Sequence, residues 1–374
     1  MAPTRIAVNT RLLLPGRMEG IARFAWEVLS RLAREHPEVE FHWLFDRPFD
    51  PALIPSGNVV PHVVFPQARH PLLWHLWFHY QLPRLFDRIG ADLFFSPEFY
   101  LSSHPRIPQI PVFHDLAYEH YPDAIAPWAS HYVRKYSPRY ARAATHILTV
   151  SEFSKQDIVS RYHIDPEKVT VVYNGAGSQF APLATEQKQA VRAQYTGGRP
   201  YVLFVGAQHP RKNLPNLLRA FELAAAALPE ISLLLVGREG WQNEEARQVF
   251  EQMQARERVR FSGFLPDEDL VRAYAAAEAL VYIPWLEGFG IPLLEAMRSD
   301  TPVICSNSSS MPEVAGKAAL LVNPHDPQEV ASAMIRLLNS DVLREKLVAE
   351  GRIQRERFSW EDTTRRVWEV IARL

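Results

Sequence analysis

Ala279-Leu-Val-Tyr-Ile-Pro-Trp-Leu-Glu287-Gly-Phe-Gly-Ile-Pro-Leu-Leu-Glu295-Ala-Met-Arg298 is the stretch from which the fold can be read. Residues 279–283 form a short apolar run that stops at a proline, which predicts a buried strand. Pro292 suits the first position of a helix, and helical spacing continues over 292–298. Gly288 and Gly290 remove side chains where backbone N–H groups can approach a ligand. A strand that passes through a Gly-rich turn into a helix is one β/α unit, and the helix entry offers N–H donors and positive dipole to an anion. Glu287 stands ahead of the turn. Glu295 is expected in the first helical turn, where its oxygens can accept from a vicinal diol such as a ribose. A first-turn Glu and a Gly-Pro helix entry also occur for capping alone, so the segment by itself leaves a purely structural reading open.

The same alternation runs through the chain. Strands are expected at 6–8, 92–96, 110–113, 146–151 and 169–173, with an amphipathic helix over 21–32. The second half repeats the pattern, with strands at 201–205, 232–236, 258–263, 279–283 and 302–306 and helices at 214–227, 292–298 and 327–338. Short strands alternating with helices predict parallel sheets covered by helices. With 374 residues, two domains are expected. The Gly- and Pro-containing stretch 179–200 reads as the linker between a first domain, 1–178, and a second, 201–357. Two doubly wound domains predict a cleft in which ligands meet the strand-to-helix loops of both halves.

Composition narrows the function classes. The formal net charge of −1 gives no global field for DNA or RNA, so no nucleic-acid partner is expected. A single cysteine, Cys305, permits neither an internal disulfide nor a cysteine-based zinc cluster, and fits a cytoplasmic setting. No run approaches the ~20 apolar residues needed to cross a bilayer, so any membrane contact is expected to be peripheral. Trp74, Trp77, Phe78 and Tyr80 are spread around a helix, which favours core packing over a lipid-facing surface. A dehydrogenase needs Gly-x-Gly-x-x-Gly after the first strand of a unit, and neither half has it.

Three other loops carry chemistry. Gly206 ends the 201–205 strand and is followed by Arg211-Lys212-Asn213, two adjacent cations able to stabilise a diphosphate leaving group. His114-Asp115 closes the 110–113 strand, with Asp115 expected to orient the His114 ring. Gly20 and Arg23 lie where the first loop enters the first helix. Ser151 reads as a helix N-cap, and Asp267-Glu-Asp269 as charges at a helix start rather than a metal-binding triplet.

Taken together, Glu287-x7-Glu295, Arg23, His114-Asp115, residues 150–155, Val172-Tyr-Asn-Gly175, Gly206 with Arg211-Lys212-Asn213, and Pro312-Glu313-Val314 resemble the family 4 glycosyltransferases of GT-B fold. The resemblance covers nearly the whole chain. It implies a retaining hexosyltransferase that takes a nucleotide diphosphate sugar, with GDP-mannose the first choice. The acceptor implied is a glycan or lipid-linked glycan in polysaccharide or lipopolysaccharide synthesis, and no metal or other cofactor is implied. It assigns the donor phosphates to Arg211 and Lys212, the donor ribose to Glu295, and the donor sugar to Glu287 and His114. Gly20, Gly206, Gly288, Phe289, Gly290 and Ile291 become donor-binding backbone. It also implies that the last helix, within 358–374, crosses back to the first domain, and that the enzyme works in the cytoplasm at the inner face of the membrane. Two departures stand out. Glu19-Gly20 replaces the usual Gly-Gly, and Asp300 replaces the Gly that ends the helix after Glu295. UDP- or dTDP-sugars, a sugar-nucleotide epimerase and a non-catalytic sugar-nucleotide-binding protein remain the alternatives.

Overall fold

The computed structural model describes residues 3–14, 20–103, 106–237 and 244–374. The chain divides into two compact units, Met1–Asn174 with Ser359–Leu374, and Gly175–Phe358.

The first unit holds a parallel sheet of seven strands: β1 (Arg5–Asn9), β2 (Glu40–Phe45), β3 (Val59–Val63), β4 (Leu93–Ser96), β5 (Gln109–Phe113), β6 (Ile147–Thr149) and β7 (Val169–Val171), in the order β3-β2-β1-β4-β5-β6-β7. Ile6, Ala7 and Val8 of the central β1 have no exposed surface, as expected for a strand covered on both faces. Two of these strands escaped the sequence reading. β2 is Glu-Phe-His-Trp-Leu-Phe, with no β-branched residue, and β3 contains Pro61. A proline is tolerated there because β3 lies at the sheet edge.

The second unit holds a parallel sheet of six: β8 (Tyr201–Val205), β9 (Ser232–Val236), β10 (Val259–Gly263), β11 (Ala279–Tyr282), β12 (Val303–Ser306) and β13 (Ala319–Val322), in the order β10-β9-β8-β11-β12-β13. The stretch 179–200, expected to be a linker, instead contributes a twelve-residue helix, Thr185–Thr196, to this unit. Arg192 ties that helix down by donating to Ala276 O at 3.1 Å and to Glu278 at 2.7 Å. The two glycines that suggested a linker end the helix instead, with Gly197 left-handed at φ 63°. Asp300 takes the left-handed turn after helix Ile291–Arg298 at φ 53°, and Arg352 holds its carboxylate at 3.0 and 2.5 Å. A short polar side chain tolerates that backbone better than most, so the missing glycine costs no turn.

Helix Trp360–Ile371 returns to the first unit. Ser359 caps it by accepting from Asp362 N–H at 3.1 Å. Its buried Trp360 meets the Phe24 ring of helix Ile21–Glu35 edge-on at 6.3 Å, Arg31 reaches Glu361 at 3.2 Å, and Thr363 donates to Tyr173 O. Trp360→Ala should cost about 3–5 kcal/mol, the usual loss for truncating a buried aromatic. Urea unfolding followed by a signal from the first unit measures it, and a loss under about 1 kcal/mol would mean that this helix carries little of the unit's stability.

Candidate functional site

Parallel strands deliver all their carboxyl ends to one sheet edge. Where the strand order reverses, the loops on either side leave in opposite directions and open a crevice that suits a ligand. The order reverses between β1 and β4 in the first unit and between β8 and β11 in the second.

In the second unit, β8 runs into Gly206, whose N–H donates to Val236 O at 2.9 Å. The backbone is crowded here, since a Cβ at Gly237 would lie 2.2 Å from Gly206 O. A single turn, Pro210–Lys212, then lifts Arg211 and Lys212 at the crevice. Asn213 follows at φ 60° and is fixed by donating to Ile283 O at 3.0 Å and Pro324 O at 2.7 Å. On the other side, the loop after β11 is stapled by three serines. Ser306 donates to Pro284 O at 2.6 Å, Ser310 to Glu287 O at 2.8 Å and Phe289 O at 3.0 Å, and Ser309 accepts from Glu287 N–H at 3.2 Å. Trp285 N–H donates to Arg211 O at 2.9 Å, joining the two loops. Gly290 enters the helix at φ 101°, and a Cβ there would meet Met311 Cε at 2.4 Å. A side chain at Gly290 is therefore disfavoured by conformation, and it would also require the Met311 side chain to move.

The charged groups meet at one atom. Glu287 Oε2 accepts from Arg211 Nη1 at 2.8 Å, from the Tyr282 hydroxyl at 2.9 Å, and from Lys212 Nζ. Lys212 also donates to the Tyr282 hydroxyl, and Arg211 Nη1 to Leu286 O at 3.1 Å. Burial alone would raise the Glu287 pKa, but the charges of Arg211 and Lys212 override it and bring it to about 2. Burial and the neighbouring Glu287 charge push the Tyr282 hydroxyl well above its ordinary range. Arg211 and Lys212 thus converge on one carboxylate oxygen. Glu287 Oε1 has no partner among the described residues. The sequence reading placed Arg211, Lys212 and Glu287 at the same edge but missed that the carboxylate anchors the cations. Tyr282 and the three serines were missed too, because nothing in their spacing marks them.

Glu295 is the fifth residue of helix Ile291–Arg298, one residue deeper than expected and so past the first turn, because the helix begins at Ile291 and Pro292 takes its second position. It lies beside Tyr274, whose hydroxyl is pushed up by burial and then by the Glu295 charge. Gly288 and Phe289 are buried, and the Phe289 ring packs edge-on against Phe358 at 5.6 Å. Asp267, Glu268 and Asp269 open helix Asp267–Ala276. Among the described residues no group of three or more His, Cys, Asp or Glu side chains is placed to hold a metal ion.

In the first unit, Gly20 precedes helix Ile21–Glu35 at φ 51°, and Arg23 lies on that helix; residues 15–19 of the entering loop are outside the described residues. Ser151 caps helix Glu152–Tyr162 by accepting from Ser154 N–H at 3.0 Å. His114 follows β5, donates through Nε2 to Pro97 O at 2.8 Å, and stands edge-on to Phe24 at 5.0 Å. A carbonyl can only accept, so Nε2 carries the proton. Burial lowers the ring's pKa and keeps it neutral, which makes Nδ1 an acceptor. Pro97 O thus holds the ring through Nε2. Asp115, expected to orient the ring, acts on it through its charge and also accepts from Ala117 N–H through Oδ1 at 3.0 Å at the start of the short helix Ala117–His120, because an Asp readily bonds the backbone two residues on.

A second ion pair, absent from the sequence reading, spans this crevice. Arg11, after β1, donates to both oxygens of Glu98, after β4, at 2.5 and 2.6 Å. Asn9 Nδ2 donates to Glu98 at 2.7 Å and to Ser96 at 3.2 Å, Arg11 reaches Ala68 O at 3.0 Å, and its guanidinium lies 4.8 Å from the Tyr100 ring centre. The side chains are only 10% and 6% exposed, so each charge depends on the other. The available signal was positional: charged residues directly after two strands that flank the reversal.

The Glu287 cluster sets a pH dependence. Its pKa is depressed from 4.5 to about 2 by the fold, so the stabilisation is complete above about pH 4.5 and is lost as pH falls through about 2. Glu287→Gln should therefore cost on the order of 3 kcal/mol near neutral pH, with the gap from wild type closing between pH 4.5 and 2. Denaturant unfolding across that range measures the gap, and a constant difference would mean that the charge is not what stabilises the cluster.

Comparison with known proteins agrees with this architecture. Residues 18–178 match the model described as Glycosyltransferase Family 4, and residues 186–354 match that described as Glycosyl transferases group 1. The O-antigen chain mannosyltransferase B of Escherichia coli is 33% identical over 274 residues, 73% of this chain and 72% of that protein. Among solved structures, a sucrose-phosphate synthase from Thermosynechococcus elongatus superposes with a TM-score of 0.78 at 19% identity, covering 98% of each chain. Alr3699/HepE of Anabaena, in complex with UDP-glucose, gives 0.75 at 18% identity, covering 99% of this chain and all of that one. The two parallel-sheet units are those of the GT-B architecture, and the chain belongs to the family 4 glycosyltransferases.

Proposed function

We propose that this glycosyltransferase moves mannose from a nucleotide diphosphate sugar, GDP-mannose by first choice, to a glycan or lipid-linked glycan acceptor in polysaccharide or lipopolysaccharide synthesis, with retention at the anomeric carbon. The observation that carries the reading is the convergence of Arg211 and Lys212 on Glu287 at the strand-order reversal of the second unit. In this reading Arg211 and Lys212 neutralise the diphosphate as it leaves and supply the positive charge that a metal would otherwise bring. Gly206, Gly288, Phe289, Gly290 and Ile291 form the backbone around it, with Gly20 on the first unit. Glu295 holds the ribose. Glu287 uses Oε2 to fix the cations and offers Oε1 to a sugar hydroxyl, and His114 Nδ1 accepts from another. In the transfer step the acceptor oxygen bonds to the anomeric carbon as the bond from that carbon to phosphate breaks, and the acceptor proton passes to the departing phosphate oxygen on the same face.

Mannose as the sugar draws support from the E. coli O-antigen mannosyltransferase relative. The UDP-glucose held by the Anabaena protein keeps a uridine donor as the alternative. No described helix is long and apolar enough to cross a membrane, and the proposed place of action is the cytoplasmic face of the membrane through peripheral contact. Incubation of the purified protein with GDP-mannose, UDP-sugars and dTDP-sugars tests the donor, with nucleoside diphosphate release in the presence of acceptor as the readout. Binding of none of them at millimolar concentration would overturn the reading. Turnover of the sugar nucleotide to an isomer with no acceptor would point to an epimerase, and binding with no transfer to any acceptor to a non-catalytic protein. Lys212→Ala should lower kcat by ~10²–10³ while the protein stays folded, and an unchanged rate would contradict the phosphate assignment.

A further inference from the structure

Helix Pro127–Ala143 of the first unit contains no Asp or Glu and presents His131, Arg134, Lys135, Arg139 and Arg142 to solvent. These residues recur at three- and four-residue spacing, so they form one basic stripe. The stripe borders a hollow of about 670 Å³ lined by His131, Arg134, Lys135, Arg142 and Arg161, with Glu119 as its single carboxylate, paired to Arg134 at 3.3 Å.

The neighbouring element supplies the apolar counterpart. Helix Pro71–Leu76 continues as a wider turn, Trp77–Gln81, that buries Trp77 and Phe78 in the core. The opposite side carries Leu72, Leu76 and Tyr80 at four-residue spacing, exposed by 74%, 37% and 51%, and Trp128 at the start of the basic helix is 49% exposed. The sequence reading had assigned this stretch to the core, and only part of it goes there. Ring contacts join ridge and stripe. Tyr80 lies 5.8 Å from His75, His75 lies 5.8 Å from Tyr136, and Lys135 and Arg139 both sit 5.5 Å above the Tyr136 ring. At the other end, His70 stacks on Trp128 at 5.2 Å and receives Leu72 N–H at 3.4 Å.

We propose that this face of the first unit docks on an anionic lipid bilayer. Leu72, Leu76, Tyr80 and Trp128 enter the headgroup boundary, while the stripe and its hollow take the lipid phosphates. The ridge argues against nucleic acid, because exposed leucines gain nothing from a phosphate backbone, whereas an interfacial surface needs apolar and basic groups side by side. A chain with overall charge −1 also needs its positive groups gathered in this way to meet a negative surface.

The test is co-sedimentation of the full chain with phosphatidylcholine vesicles with and without phosphatidylglycerol, no donor present, so that its outcome is independent of the transfer reaction. Binding should require phosphatidylglycerol and weaken strongly in 0.5 M salt. Each cation near an anionic surface contributes about fivefold, so Lys135→Glu with Arg139→Glu should weaken binding at least about tenfold. Leu72→Ser with Leu76→Ser should also weaken it. Both variants alter exposed groups and should keep wild-type transfer to a soluble acceptor. Absence of binding, equal binding to pure phosphatidylcholine, an unchanged affinity in the charge variant, or tighter binding to duplex DNA than to anionic vesicles would overturn the proposal.

Discussion

Two parallel sheets place every functional loop at their carboxyl edges, and in each sheet one reversal of strand order decides where a ligand can enter. Both reversals are crossed by ion pairs. Arg11 and Glu98 tie the loops after β1 and β4, while Arg211, Lys212 and Glu287 tie those after β8 and β11. A charge held this deep depends on its partner, because removing one member leaves the other buried and unpaired at a cost of about 3–5 kcal/mol. The loops are therefore fixed before any ligand arrives, and the polar groups they carry are organised in advance.

The two crossings differ in how the carboxylate is used. Arg11 engages both oxygens of Glu98. In the second unit one carboxylate oxygen is shared by two cations at a glycine-lined edge. His114 extends the logic of the first crevice. Its ring is set by the carbonyl of Pro97, immediately before Glu98, so the ion pair and the imidazole share one short loop.

Much of this was legible in the sequence where local chemistry and fold agree. The strand-turn-helix around Glu287, the basic pair after β8, the cap at Ser151 and the left-handed Asp300 all follow from residue types at fixed offsets. Legibility failed where tertiary context decides. β3 contains a proline and survives only as an edge strand, and the helix Thr185–Thr196 is polar enough to pass for a linker until Arg192 is seen clasping Ala276 and Glu278. The position of Glu295 depended on whether the helix starts at Ile291 or Pro292, a difference propensity does not resolve. The partners of Glu287 lie up to 76 residues away in sequence, and those of Glu98 up to 89, so no local pattern could pair them.

The account stands on Arg211 and Lys212 being held by Glu287 so that they meet a diphosphate. A crystal structure of the protein with bound nucleoside diphosphate measures this directly. The account predicts phosphate oxygens within about 3 Å of Arg211 and Lys212, with Glu287 Oε2 still bonded to both cations. A diphosphate bound away from β8 and β11, or one that displaces Glu287 from the two cations, would contradict it.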